Sequence, residues 1–167
     1  MPIPNSRLTL VTLGVYGFDA DSFWRALQDA QVDTLCDIRR RRGVRGREYA
    51  FANSLRLQAA LAERGIRYVY SPTLAPSPGL RSAEHAADEA AGITKRRRIT
   101  LSPAFVEAFE RECLAQFDPS AWRESLPDDA QVVALLCVER DPEACHRGLV
   151  AAWLHKVWQC RVVHLQP

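Results

Sequence analysis

The chain predicts a three-layer α/β/α domain with a mainly parallel sheet of about five strands, and three observations carry that expectation. Short runs rich in β-branched residues alternate with longer segments whose apolar residues recur at helical spacing. The strand-length runs, VVALLCV above all, are apolar at consecutive positions, as in strands covered on both faces. At 167 residues, with 47% hydrophobic and 25% charged side chains, the chain has the size and composition of one globular domain spanning residues 1–167.

The elements follow in order. Leu8–Val15 is the first expected strand, closed by Gly14, and Asp19, Asp21 and Ser22 offer caps for a helix carrying Phe23, Leu27 and Ala30. Val32–Ile38 is the second strand, with Asp37 and Arg39 at its end, and an arginine-rich loop containing Gly43 and Gly46 follows. Ser54 is placed to cap a helix with Leu57, Ala60 and Leu61 that stops at Gly65, before a third strand over Ile66–Tyr70. Residues 71–104 are broken by Pro72, Pro76, Pro78, Gly79 and Pro103. They read as a lid or insertion loop, or as a disordered surface insertion, with a short polar helix over Ser82–Ala91. Phe105, Phe109, Cys113 and Phe117 stand four apart and predict a core-facing helical stripe, and Trp122–Asp129 reads as a loop. Val132–Val138 is the fourth strand, Glu139–Glu143 a tight loop, Cys145 onward a helix, and Cys160–Leu165 the fifth strand. Right-handed crossovers then suggest a Rossmann-like strand order of 3-2-1-4-5.

Charge and cysteine content narrow the classes. The net charge of +2 and pI of 8.4 fall short of a basic nucleic-acid-binding domain, which usually lies above about 9. Two local clusters, Arg39–Arg42 with Arg45 and Arg47, and Lys95–Arg98, remain candidates for meeting phosphates. Five cysteines at irregular spacing do not form a disulfide framework, and Cys36 and Cys137 sit in apolar runs as small hydrophobes. MPIPNSRLTLVTLG lacks a charged segment followed by a long apolar one, and no run has the length of a membrane span. A cytoplasmic protein without a membrane partner is expected.

The chemistry is expected where ligands bind in such sheets, beyond the C-terminal strand ends. Gly14, Asp37, Arg39, Glu139 and the helix start Cys145-His146-Arg147 all fall there. Arg39 and Arg147 are candidate anion ligands because a guanidinium fork matches phosphate or carboxylate, with Gly14, Arg45 and Arg47 as further binding candidates. Asp37, Glu139 and His146 are candidate proton carriers, and the two carboxylates are weighed as a pair. Cys145, at a helix N-terminus beside His146 and Arg147, is a candidate nucleophile. A phosphatase loop is not matched, since the sixth residue after Cys137 is Glu143 rather than arginine. Gly14–Gly17 is too short for a dinucleotide fingerprint. Cys137, Cys145 and His146, with His85, lack a standard zinc spacing, so neither a metal nor another cofactor is expected.

The phrases TLGVYG, LCDIRRRRGVRGREYAF, GIRYVYSPTLAP and LLCVERDPEACHRGLVAAWL, with the closing VVHL, resemble the domain-of-unknown-function 488 family of small bacterial and archaeal proteins. Asp37, Arg39, Cys137, Glu139, Cys145, His146 and Arg147 fall on its signature positions. Many relatives look like Asp-Val-Arg before a proline-containing Ser-Arg loop, whereas this chain has Asp-Ile-Arg before an arginine run with glycines. The resemblance implies an α/β fold and no particular activity. Taken together, the residues favour an enzyme with an anion- or phosphate-binding site acting on a nucleotide or nucleic acid, a hydrolase or transferase. The alternatives are a non-catalytic nucleic-acid-binding module using the arginine-rich loops, and a thiol-based redox or transfer protein using Cys145.

Overall fold

The computed structural model describes residues 7–167, without the side chain of Arg96. Residues 1–6, read above for a leader, and that arginine of the second basic cluster lie outside the described residues. Five strands form one parallel sheet: β1 (Thr9–Gly14), β2 (Thr34–Asp37), β3 (Arg67–Tyr70), β4 (Val132–Cys137) and β5 (Arg161–His164). The helices are α1 (Ala20–Asp29), α2 (Ser54–Glu63), α3 (Pro78–Ala90), α4 (Pro103–Glu112), α5 (Pro119–Ser125) and α6 (His146–Trp158). They cover both faces of the sheet, as the three-layer expectation requires.

The strand order is β3-β2-β4-β1-β5, which corrects the expected 3-2-1-4-5. β4 inserts between β2 and β1, pairing Val133 with both Leu10 and Thr34 and Cys137 with Gly14. The physical reason is burial. β4 is buried from Val133 to Cys137 on both faces, whereas β3 is half-buried throughout and the ends of β5 are exposed. The most continuously apolar strand therefore takes the centre, and the two least apolar ones take the edges.

The chain runs from β1 toward the β3 edge with α1 and α2 on one face. There Phe23, Leu27, Leu57 and Leu61 pack with Val11, Leu13, Leu35 and Leu136. It returns toward β5 with α4, α5 and α6 on the other face, where Phe105, Phe109, Trp122, Val150 and Leu154 pack with Leu10, Cys36, Val133 and Leu135. Reversing direction while changing face keeps the hand of the crossovers constant. One consequence positions the site. The loops leaving the adjacent strands β2 and β4 depart toward opposite faces and open a crevice between them.

Local signals account for the helix ends. Asp19 caps α1 by accepting from the Ser22 N–H, and Ser22 Oγ accepts from the Asp19 N–H in return. Gly65, at φ +68°, ends α2 in the left-handed conformation expected just beyond a helix. Ser77 caps α3, which starts earlier than the expected Ser82, with Pro78 in its first turn. The helix expected over Phe105–Phe117 ends at Glu112, and Leu114–Gln116 is a separate 3₁₀ turn. Part of the loop expected over Trp122–Asp129 belongs to α5. Asp118 accepts from the Ser120 and Ala121 N–H groups, and Trp122 is buried between the rings of Phe117 and Trp158. The Trp122 indole N–H donates to Ser71, so the buried ring leaves no polar atom unpaired. Among the described residues, no helix is long and apolar enough to cross a membrane.

Candidate functional site

β4 ends at Cys137, and the loop that follows is clamped from two sides. A Cβ on Gly14 would stand 1.7 Å from the Glu139 carbonyl oxygen, and one on Gly148 would stand 2.3 Å from that of Pro142. Both glycines are needed for close backbone approach. Arg147 is fully buried and holds the same loop from within. It donates through Nη1 to the Glu139 carbonyl, through Nη2 to the Arg140 carbonyl at 2.9 Å, and through Nε to Thr12 Oγ1 at 3.4 Å. This clamp delivers Cys145 to the N-cap position of α6, with extended backbone and a buried side chain.

Cys137, Cys145 and His146 meet as a result. His146 Nδ1 lies 3.6 Å from Cys137 Sγ and 3.9 Å from Cys145 Sγ, while Nε2 is 3.1 Å from the Ile38 carbonyl. The Phe109 ring of α4 packs 5.7 Å from the imidazole. Glu139 Oε2 approaches Cys137 Sγ at 3.7 Å, and Oε1 accepts from Arg98 Nη2 at 2.8 Å with Lys95 Nζ at 3.4 Å.

Burial works against charge at every one of these groups, and the neighbours decide the outcome. For Cys145, the largest influence, burial, would raise the thiol. The Cys137 hydrogen bond and the charges of His146 and Arg147 outweigh it and hold the thiol well below its ordinary range. Cys137 is driven well above that range by burial and by Cys145 beside it. Burial would lower His146, but Cys145 and Glu139 raise it. Burial, followed by the charge of Cys145, lifts Glu139 above the usual carboxylate range despite Lys95 and Arg98. Elsewhere burial pushes Cys36 up to about 12 and Cys113 up to about 11. A lowered thiol stays ionised until the pH falls through its own value, so below about pH 8 Cys145 holds the largest thiolate fraction. Iodoacetamide should then alkylate Cys145 ahead of the half-buried Cys113, read by peptide mass spectrometry. Faster labelling of Cys113 would contradict this electrostatic picture.

Over the floor lies a cavity of about 810 Å³. Its walls come from Arg40 and Arg41 after β2, Arg81, Ser82, His85 and Asp88 on α3, Lys95 and Arg98 beyond it, and Leu101 and Phe105 near α4. Arg98 joins wall to floor. It pairs with Asp88 at 2.7 Å and with Glu139 at 2.8 Å, and donates to the Ala144 carbonyl at 3.3 Å. Buried Glu84 accepts from the Ser102 N–H and hydroxyl, fastening α3 to the start of α4. Residues 71–104 thus supply one side of the cavity through α3 and the 3₁₀ turn Lys95–Arg97.

The structure brings together Glu139, Cys145 and His146, with Cys137, from the candidates read in the chain. It separates Asp37 from them. Strand alternation turns Cys36 toward the face of Cys137 and Asp37 toward the opposite face. There Asp37 accepts from Arg39 Nε and Nη2, both at 2.8 Å, and from the Tyr68 hydroxyl at 2.8 Å. The expected Asp37–Glu139 carboxylate pair is therefore not formed across one cleft. Arg39 reaches the cavity wall, but its guanidinium is engaged by Asp37 and the Ala52 carbonyl. Arg147 and Gly14 lie beneath the loop rather than on the cavity, and Arg45 and Arg47 are exposed outside it. Arg40 and Arg41, next along the same arginine run, hold the cavity positions instead. Arg81 and Asp88 escape sequence reasoning because nothing in the polar face of α3 distinguishes them from solvated charges; only the Pro78 and Ser77 helix start hints at an ordered element.

No curated protein and no solved structure matches the chain. A family model does, over residues 19–154, a span that takes in the Asp37–Arg39 pair, the cavity walls and the Cys-x-Glu and Cys-His-Arg elements of the floor. The match covers well over half of the chain, and the protein belongs to the family described as domain of unknown function DUF488.

Proposed function

We propose that the cleft between the ends of β2 and β4 is an active site for a phosphate-bearing substrate, a nucleotide or the end of a nucleic acid. The observation that carries this reading is the charge of the walls. Among the described residues no carboxylate pairs with Arg40, Arg41 or Arg81, whereas the two acidic residues of the cavity, Asp88 and Glu139, are matched by two cations, Arg98, which pairs with both, and Lys95, which pairs with Glu139. An uncompensated cationic rim above a buried floor attracts an anion and holds it over the floor. A volume of about 810 Å³ accommodates a ligand of nucleotide size. Glu139, Cys145 and His146 are the groups placed to meet the reacting atoms. Asp37, Arg39 and Arg147 are positioning residues that hold the two loops from which the walls and floor arise.

A thermal-shift screen of nucleotides, phosphosugars and oligonucleotides tests the reading. A ligand at a hundred times its dissociation constant stabilises the native state by roughly 2.7 kcal/mol. The shift should disappear in Arg41→Glu/Arg81→Glu and persist in Arg45→Glu/Arg47→Glu. The reverse pattern, with oligonucleotides alone giving a shift, would transfer the function to the exposed arginine loop and make the non-catalytic binding module the better account.

A further inference from the structure

Cys137, Cys145 and His146 carry no standard zinc spacing, yet folding assembles them into a donor set. Their ligand atoms all lie within 4.8 Å of one another, and all three residues are buried. The Ile38 carbonyl can only accept, so His146 Nε2, 3.1 Å away, carries a proton, and Nδ1 is the ring nitrogen left for a metal. Metal-bound histidines are oriented by this kind of hydrogen bond from the outer ring nitrogen. Nδ1 stands 3.6 Å from Cys137 Sγ and 3.9 Å from Cys145 Sγ. Bond lengths of about 2.3 Å to sulfur and about 2.0–2.1 Å to nitrogen give a tetrahedral zinc site S···N edges of about 3.6 Å. Both S···N separations therefore stand close to tetrahedral edge spacing.

The three residues also line the cavity together with Glu139, so a fourth coordination position faces open space rather than protein. Three protein ligands and one open position is the arrangement of catalytic rather than structural zinc.

We propose that Cys137, Cys145 and His146 form a three-ligand zinc site on the cavity floor, its fourth position open to water or to an oxygen of an anionic ligand. The Ile38 carbonyl orients the histidine, and Glu139 flanks the open position while Arg98 and Lys95 hold its other oxygen. This deepens the active-site reading above and rests on it only for the nature of the fourth ligand.

Reduced, chelator-treated protein titrated with Co²⁺ and then Zn²⁺ tests the site. One ion per chain is expected. The cobalt form should show a thiolate charge-transfer band and the intense visible bands of tetrahedral cobalt, both abolished by one equivalent of zinc. Cys137→Ser and Cys145→Ser should each weaken zinc binding by more than about 100-fold, beyond the cost of losing a hydrogen-bond partner of a ligand. Cys113→Ser and Cys160→Ser should leave it unchanged. Should the first pair fail to fold, the wild type still decides: one equivalent of zinc should protect Cys145, and not Cys113, from alkylation. Absence of stoichiometric binding, an octahedral cobalt spectrum, or protection confined to other cysteines would overturn the proposal. The titration contains no substrate and the ligand screen contains no metal, so failure of either leaves the other result standing.

Discussion

Arg147→Ala is expected to lower the unfolding free energy by about 4 kcal/mol, because it removes the buried tie between β1, the Glu139 loop and α6. The guanidinium is 0% exposed and each of its nitrogens has a protein acceptor. Truncation leaves the Glu139 carbonyl without its donor, at roughly 1–3 kcal/mol for a buried acceptor, and opens a void beside Gly14. For a chain of this length a loss of that size corresponds to a fall in Tm of about 8–16 °C. Arg147→Lys should recover little, since one ammonium cannot reach three acceptors in the directions of a planar fork. Urea unfolding followed by circular dichroism measures both variants. If Arg147 were instead a ligand for the substrate anion, Arg147→Ala would keep wild-type stability and lose only ligand binding.

Asp37→Ala should be comparably severe, at about 3–5 kcal/mol, the usual result of removing one partner from a buried ion pair. The Arg39 side chain is 1% exposed and the Asp37 side chain 0%. Without the carboxylate, Arg39 loses two charge-assisted hydrogen bonds, and its own N–H and the Tyr68 hydroxyl lose an acceptor. The cation is left buried with only the Ala52 carbonyl. Asp37→Ala/Arg39→Met should therefore be more stable than Asp37→Ala alone, giving a favourable coupling in a double-mutant cycle. Additive losses would show that the two side chains act independently, and an Asp37→Ala protein of wild-type stability without activity would restore Asp37 as a catalytic group.

Both residues illustrate how far a chain can be read before it folds. The fold class and all five strands follow from apolar runs alone, because burial on both faces of a sheet leaves a mark on every strand position. The order did not follow. Periodicity reports how deeply a strand is buried, and only the pairing of β4 with both β1 and β2 shows which neighbours bury it. α5 escaped for a related reason: its seven residues are too short for a helical period to show, and a buried Trp122 contact holds it in place.

The candidate site divides along the same line. Its location at the C-terminal edge of the sheet, and the presence there of Glu139, Cys145 and His146, were determined by the sequence, since a strand, a tight loop and a helix start must converge at that edge. The partners of the arginines were decided by the tertiary structure. Arg39 and Arg147 look like anion ligands in the chain, but the guanidinium of Arg39 is held by Asp37 and the Ala52 carbonyl and that of Arg147 by the Glu139 loop, while Arg40, Arg41 and Arg81 line the cavity. The meeting of Cys137 with Cys145 and His146 was likewise decided only in three dimensions. Local spacing can specify a metal motif when one turn of chain supplies the ligands, whereas here β4, its loop and α6 must first pack to bring the donors within 4.8 Å.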